Sequence, residues 1–231
     1  MPIDGGTLVL LAALGAVVGL DFVSFPQAML SRPIVAATLA GALCGSATDG
    51  LLVGAMLECF ALETMPFGAS RYPEWGPPSV AAGALVAVHN GIDGAERLVP
   101  FAVLAGLLCA YVGGQTMVWL RQFNLKVAER YRDRLAAGDA GAVLSVHISG
   151  MAVDTLRAIV LTVLFLAVLL PAASMLASRL GESGGRSLAV AGTVAVGVAA
   201  GATWKVVHNT KGYQWWLLGG AISGTLAAVV L

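Results

Sequence analysis

The sequence predicts an all-α integral membrane protein, a polytopic bundle with several short discontinuous or re-entrant helices. Three observations carry that expectation. Of 231 residues, 58% are hydrophobic and only 11% charged, against about 25% charged in an average soluble domain. The mean hydropathy is +0.85, which places the chain in the membrane class before any residue is considered. The apolar residues also fall into segments cut by Gly, Pro and isolated acids, several of them shorter than the roughly 20 residues of a full span. The chain reads as one membrane domain, 1–231: a discontinuous, site-bearing half over 1–95, an amphipathic helix over 120–140, and closing helices over 141–231.

In the first half, Thr7–Leu20 is apolar and ends at Asp21, Pro33–Cys44 ends near Gly45, Leu51–Leu62 is apolar apart from Glu58, and Val80–Val88 ends at His89. Irregular backbone at membrane depth is tolerated only where protein or a water-filled cavity surrounds it, so the functional site is expected over about residues 15–75. In the second half, Leu98–Leu120, Ala158–Leu176, Leu188–Ala202 and Trp215–Leu231 approach full span length. The N-terminus shows no basic run and no cleavage pattern, so the first apolar segment is expected to be retained.

Between Leu120 and Ala140 the composition changes. Arg121, Lys126, Arg130, Arg132 and Arg134 cluster beside an apolar ridge of Phe123, Val127, Tyr131 and Leu135. That pattern predicts an amphipathic surface helix, and its basic excess places it on the cytoplasmic side. It is either a solvated linker or a docking surface. Trp204, Trp215 and Trp216 near segment ends read as interfacial anchors. Gly181–Ser187 is a loop, and Gly68–Pro78 is the longest non-apolar stretch of the first half.

Net charge is zero, which argues against a nucleic-acid binder, because such a protein needs a basic face. Cys44, Cys59 and Cys109 lie in apolar segments without CxxC spacing, and read as free buried thiols rather than as disulfide or zinc ligands. No two histidines have zinc-ligand spacing; His89 and His208 read as segment-end polar residues. No nucleophile elbow, Walker motif or dinucleotide fingerprint occurs, so no catalytic residue and no cofactor is expected.

Glu58 is the most informative position. A carboxylate inside an apolar helix costs a few kcal/mol and is usually paired or set on a solute path. Gly54, one turn earlier, opens that face to close approach. Glu58 is therefore either a structural ion pair or cap, or a ligand on the path of a polar solute. Glu63 lies about 140° further round the helix, so the two acids do not form a catalytic pair. Asp21 is followed by Ser24, Pro26 and Gln27 before Arg32-Pro33, and the prolines break helix there. This stretch is either an interfacial loop or a set of directional donors and acceptors for hydroxyls, with Arg32 snorkelling in the first case. His147, Met151, Asp154 and Arg157 fall along one helical stripe, with Gly150 allowing close packing. Asp154 and Arg157 can pair there, as a polar seam or as substrate contacts.

Taken in order, Gly19-Leu20-Asp21, then Ser31-Arg32-Pro33 through Gly41, then Asp49-Gly50 through Leu57-Glu58, resemble the N-terminal signature of the IIC subunits of the mannose/fructose/sorbose phosphotransferase family. Pro66-Phe67-Gly68-Ala69 is similar to that family's next small-residue loop, and Val146–Ser149 with Leu156-Arg157 to a weaker second patch. The similarity covers most of the chain and is strongest over 19–70. It implies a sugar-translocating subunit in a bacterial cytoplasmic membrane. It also implies a IID membrane partner, soluble IIA and IIB proteins carrying phosphoryl groups from HPr, an elevator-like motion, and an oligomer of IIC–IID pairs. By position, Glu58, Asp21, Ser24, Gln27 and Arg32 belong to the sugar path. Gly68, Ser70, His147 and Asp154 complete the expected contacts. Glu63 and Arg71-Tyr72-Pro73-Glu74 depart from the family pattern. Two other classes stay open: an ion-coupled secondary transporter in which Glu58 or Asp21 carries the ion, and a non-transporting scaffold or regulatory relic of such a permease.

Overall fold

The computed structural model describes residues 3–62, 72–90, 98–177, 184–208, 211–215, 218–220 and 222–223. Glu63, Gly68, Ser70, Arg71 and Trp216 lie outside them, as does most of the last apolar segment. The described residues form helices α1 (Gly5–Val23), α2 (Pro33–Leu43), α3 (Ala47–Ala61), α4 (Gly76–Val88), α5 (Val99–Arg130), α6 (Arg132–Ala136), α7 (Ala140–Ala177) and α8 (Gly184–Val207), with no strand among them. Among the described residues, four stretches are long and apolar enough to cross a membrane: Gly5–Val23, Val99–Arg130, Ala140–Ala177 and Arg186–Val206. Their outer faces carry Val9, Leu10, Leu104, Leu108, Tyr111, Val160, Leu164 and Val168, all more than half exposed. So large an apolar exterior suits lipid or a protein partner, not water.

Three sequence expectations are corrected. Gly181–Ser187 is not a loop throughout, because α8 already starts at Gly184. The first apolar segment does not stop at Leu20: α1 runs through Asp21 to Val23, 19 residues in all. The helix can pass the acid because the following loop satisfies its carboxylate, as described below. Residues 120–140 are not a separate surface helix either. Residues as far as Arg130 continue α5, which is 32 residues long, and the break comes only at Tyr131. A 5-residue α6 and Gly138, at φ +74, then turn the chain into α7. At about 1.5 Å per residue, α5 and α7 measure roughly 48 and 57 Å, well beyond the ~30 Å of hydrocarbon. Their shared end projects as a charged hairpin. Asp139 starts α7 there. Its carboxyl is held below its usual range by the Arg134 guanidinium, 2.7 Å away, and by the N–H groups of Ala142 and Gly141.

α2 and α3 form a tight antiparallel hairpin of 11 and 15 residues, about 16 and 22 Å long, each too short to cross. Gly45, at φ +93, makes the turn, and Ser46 caps α3 through the Asp49 N–H at 3.4 Å. α2 is wedged between α3 and α4 at backbone distance. A Cβ at Gly50 would stand 2.2 Å from the Ala37 carbonyl oxygen, and one at Gly83 would stand 2.4 Å from the same atom. α4 is buried along its whole length from Gly76 to Ala87, as a helix apolar all round must be. α1 packs on α7 through Gly19, where a Cβ would meet that of Ala158 at 2.4 Å. The core comprises Leu11, Val18, Val53, Leu57, Leu85, Leu98 and Leu166 with their neighbours.

The backbone contact at Gly83 makes a direct expectation. Gly83→Ala should cost about 1–3 kcal/mol, the range for overpacking a filled interior, because the atom it strikes is backbone and cannot rotate aside. Gly197→Ala, where nothing lies within 4 Å, should be neutral or slightly stabilising. Thermal unfolding midpoints of the two variants in one detergent distinguish them.

Candidate functional site

The break between α1 and α2 is built by one carboxylate. Asp21 is 2% exposed. Its Oδ1 accepts the Ala28 N–H at 2.6 Å and its Oδ2 accepts the Ser31 N–H at 2.8 Å. These bonds curl residues 24–32 back beneath the last turn of α1. The curl requires left-handed backbone at Gln27 (φ 59) and Met29 (φ 63), uncommon for residues with side chains. The Gln27 amide nitrogen steadies it by donating to the Val23 carbonyl at 2.8 Å. Pro33 then opens α2 at a position where its missing N–H costs nothing.

Arg32 and Glu58 face each other across this break. The Arg32 Nε–H donates to Glu58 Oε1 at 2.6 Å, and an Nη2 hydrogen reaches the same oxygen. Glu58 Oε2 accepts the Ile34 N–H at 3.2 Å, one of the amides that a helix start leaves without an intrahelical partner. Glu58 is thus both an ion pair and a cap of α2. It also lines a cavity of about 740 Å³ bounded by Asp21, Phe22, Gln27, Ser31, Arg32 and Trp75, among others. Arg32 pairs with this carboxylate rather than snorkelling away from it.

Behind the cavity lies a second polar assembly. Arg157 on α7 donates from Nη1 and Nη2 to both oxygens of Glu74, at 2.5 and 2.8 Å. Its Nε and Nη2 reach Asp154 Oδ1 at 3.1 and 2.8 Å, and Nη1 also reaches the Thr116 hydroxyl of α5 at 2.9 Å. Asp154 Oδ2 accepts the Ser24 hydroxyl at 2.7 Å. Glu74 and Asp154 are both fully buried. Residues 72–75 are laid on α5 at Gly113-Gly114: the Glu74 N–H donates to the Ala110 carbonyl at 2.9 Å, and a Cβ at Gly114 would strike the Tyr72 carbonyl oxygen at 2.3 Å. Tyr72 lies edge-on to Phe22, centroids 5.4 Å apart, and beneath the Arg121 guanidinium at 5.0 Å. Through Ser24 and Phe22, this assembly fixes the loop that frames the cavity.

The structure therefore brings together Asp21, Gln27, Arg32 and Glu58 at one cavity, with Ser24 just behind it. Asp21 has both oxygens engaged by backbone and acts as the loop's organiser. Asp154 belongs to the buried network, where the pair with Arg157 forms as the helical spacing predicts. His147 stands seven residues before Asp154 on α7, exposed and not among the residues that line the cavity. Gly68 and Ser70 lie outside the described residues. Sequence reasoning noted Glu74 only as part of a departure from the family pattern and placed none of Glu74, Thr116 and Trp75 at a site. The one available signal for Glu74 is its oddity as an acid just before the Gly76-Pro77-Pro78 helix start.

The family described as "PTS system sorbose-specific iic component" matches residues 6–230. The chain is 31% identical over 173 residues to the PTS system sorbose-specific EIIC component of Klebsiella pneumoniae, covering 73% of this chain and 62% of that protein. It is 25% identical over 157 residues to the fructose permease IIC component of Bacillus subtilis (strain 168), covering 68% and 56%. It is 28% identical over 128 residues to the PTS system mannose-specific EIIC component of Escherichia coli (strain K12), covering 54% and 45%. The matched regions thus span less than two thirds of these relatives. Among solved structures, the fold superposes with a TM-score of 0.68 at 20% identity on one described as a membrane protein, covering 99% of this chain and 96% of that one. It superposes with a TM-score of 0.59 at 21% identity on a chain of the mannose transporter ManYZ in complex with microcin E492, covering 100% and 96%.

Removing Arg157 tests the buried network. Arg157→Met leaves two buried carboxylates without a counter-charge and should cost about 3–5 kcal/mol. Ser24→Ala removes one donor and should cost distinctly less. Equal thermal stability of Arg157→Met and the parent protein in detergent would show that the network does not hold the bundle.

Proposed function

Because the chain belongs to the PTS sorbose-specific IIC family, we propose that it is the membrane-embedded sugar-translocating subunit of a phosphoenolpyruvate-dependent phosphotransferase permease. The single observation that carries this reading is the cavity at the α1–α2 break, where Arg32 and Glu58 meet beside Trp75. A hexose needs a ring of directional donors and acceptors and an apolar surface for its C–H face. Glu58 and Ser31 accept from hydroxyls. The Arg32 Nη1 group, which its bonds to Glu58 leave unused, donates to them. Trp75 and Phe22 supply apolar walls.

The chain's own task is to bind and carry. Phosphoryl transfer to a sugar hydroxyl is the work of a phosphorylated IIB protein, itself charged through IIA and HPr. A IID subunit completes the membrane part, in an oligomer of IIC–IID pairs. The positively charged α5–α6–α7 hairpin faces the cytoplasm of a bacterial inner membrane by the positive-inside rule. Thr116 lies only five residues before Arg121, about 7–8 Å along α5, so the Arg157 network sits near that end of the span. A sugar held in front of it has a short way to go to a soluble phosphoryl donor. Small residues at the α2–α3–α4 contacts suit segments that move as one body in an elevator-like step.

Glu58→Gln keeps size and loses charge. Sugar uptake into cells should fall by about tenfold or more, the loss expected when a charged hydrogen bond at a site goes, while the protein still inserts. Unchanged uptake kinetics would retire Glu58 as a sugar ligand. Uptake by the parent protein should follow phosphoenolpyruvate supply; dependence on a proton or sodium gradient would favour an ion-coupled carrier. A cysteine placed at Arg130 should resist an impermeant thiol reagent applied outside intact cells and react in inverted vesicles. The opposite pattern would reverse the orientation.

A further inference from the structure

The cavity wall has a charge property that bears on which sugars it accepts. Among the described residues its charged groups are Asp21, Arg32 and Glu58, two carboxylates and one guanidinium. An incoming anion would seek two features of this wall, the guanidinium and the amide-rich start of α2. Glu58 already holds both. One of its oxygens takes two hydrogens from Arg32 and the other takes the Ile34 N–H. The remaining cluster of inward amides, those of Ala28 and Ser31, is held by Asp21. Each of these anion-binding features therefore carries a built-in carboxylate.

Resting on the sugar-binding reading above, we propose that Glu58 is a charge-selectivity residue. It fits the cavity to uncharged sugars and shuts out sugars bearing a carboxylate or a phosphate. A hydroxyl can donate to the lone pair of Glu58 Oε2 that the Ile34 N–H leaves open, so a neutral hexose binds without disturbing the pair. An anionic sugar must either displace Glu58, leaving that carboxylate without its counter-charge, or sit beside two like charges. Both routes disfavour it, and this is specificity by a repulsive element rather than by added attraction. The same repulsion acts on a sugar phosphate. A product phosphorylated at the cavity mouth would not rebind, which favours its release.

The test is equilibrium binding to the full chain, purified with its membrane partner in lipid nanodiscs. The probes are mannose, fructose and sorbose, then glucuronate and mannose 6-phosphate. The parent protein should bind both anions at least about tenfold more weakly than the best neutral hexose, the size of effect like-charge contact produces. Glu58→Gln frees the guanidinium and the α2 amide, and should strengthen glucuronate binding by about tenfold or more while weakening the hexose. The selectivity claim alone falls if a neutral hexose binds and glucuronate matches it within about threefold, or if Glu58→Gln gains no affinity for either anion. If none of the neutral hexoses binds, the sugar-binding reading fails and this inference with it. Should Glu58→Gln not fold, the ratio measured on the parent protein decides.

Discussion

One guanidinium joins the parts that make the cavity. Arg157 sits on α7 with all its N–H groups directed at Glu74, Asp154 and Thr116, and Asp154 passes the connection on to Ser24. Four separate stretches of chain meet there: the end of α1, the segment before α4, the middle of α5 and the middle of α7. In an apolar surrounding such groups have no water to fall back on, so the geometry is strongly favoured once formed. The loop over 24–32 gains its position from Ser24 and its curl from Asp21. The cavity is the space this curl leaves in front of α2.

The rest of the bundle is arranged to bring backbones close. Glycines at 50 and 83 set α3 and α4 against the same carbonyl of Ala37, and Gly113-Gly114 let residues 72–75 lie on α5. Close contact between small residues replaces the hydrophobic driving force that is weak between helices in lipid. It also explains how 11- and 13-residue helices persist inside a membrane domain: α4 is enclosed on every side, and α2 is clamped between two neighbours. A polar site can sit on broken backbone here because longer helices surround the break.

Much of this could be read from the sequence. Lone charges in apolar segments identified Asp21, Arg32 and Glu58, and helical spacing paired Asp154 with Arg157. The end of α1 was not legible because an acid in an apolar run looks like a boundary. Only the fold supplies the two loop amides that let the helix continue past Asp21. The basic stretch after Leu120 looked like a separate element because its composition changes there, yet nothing in it breaks helix before Tyr131. Glu74 escaped because its partner lies 83 residues away, and a pairing at that separation leaves no local pattern.

The proposed site is tested most directly by where a sugar sits. A structure of the chain together with the proposed IID subunit and a bound neutral hexose would decide it. The ring should lie at the α1–α2 break, against Trp75, with hydroxyls within hydrogen-bonding distance of Glu58 and Arg32. A sugar found elsewhere, such as in the smaller groove between α5 and α7 near Trp119 and Phe123, with the Arg32–Glu58 pair untouched, would contradict it.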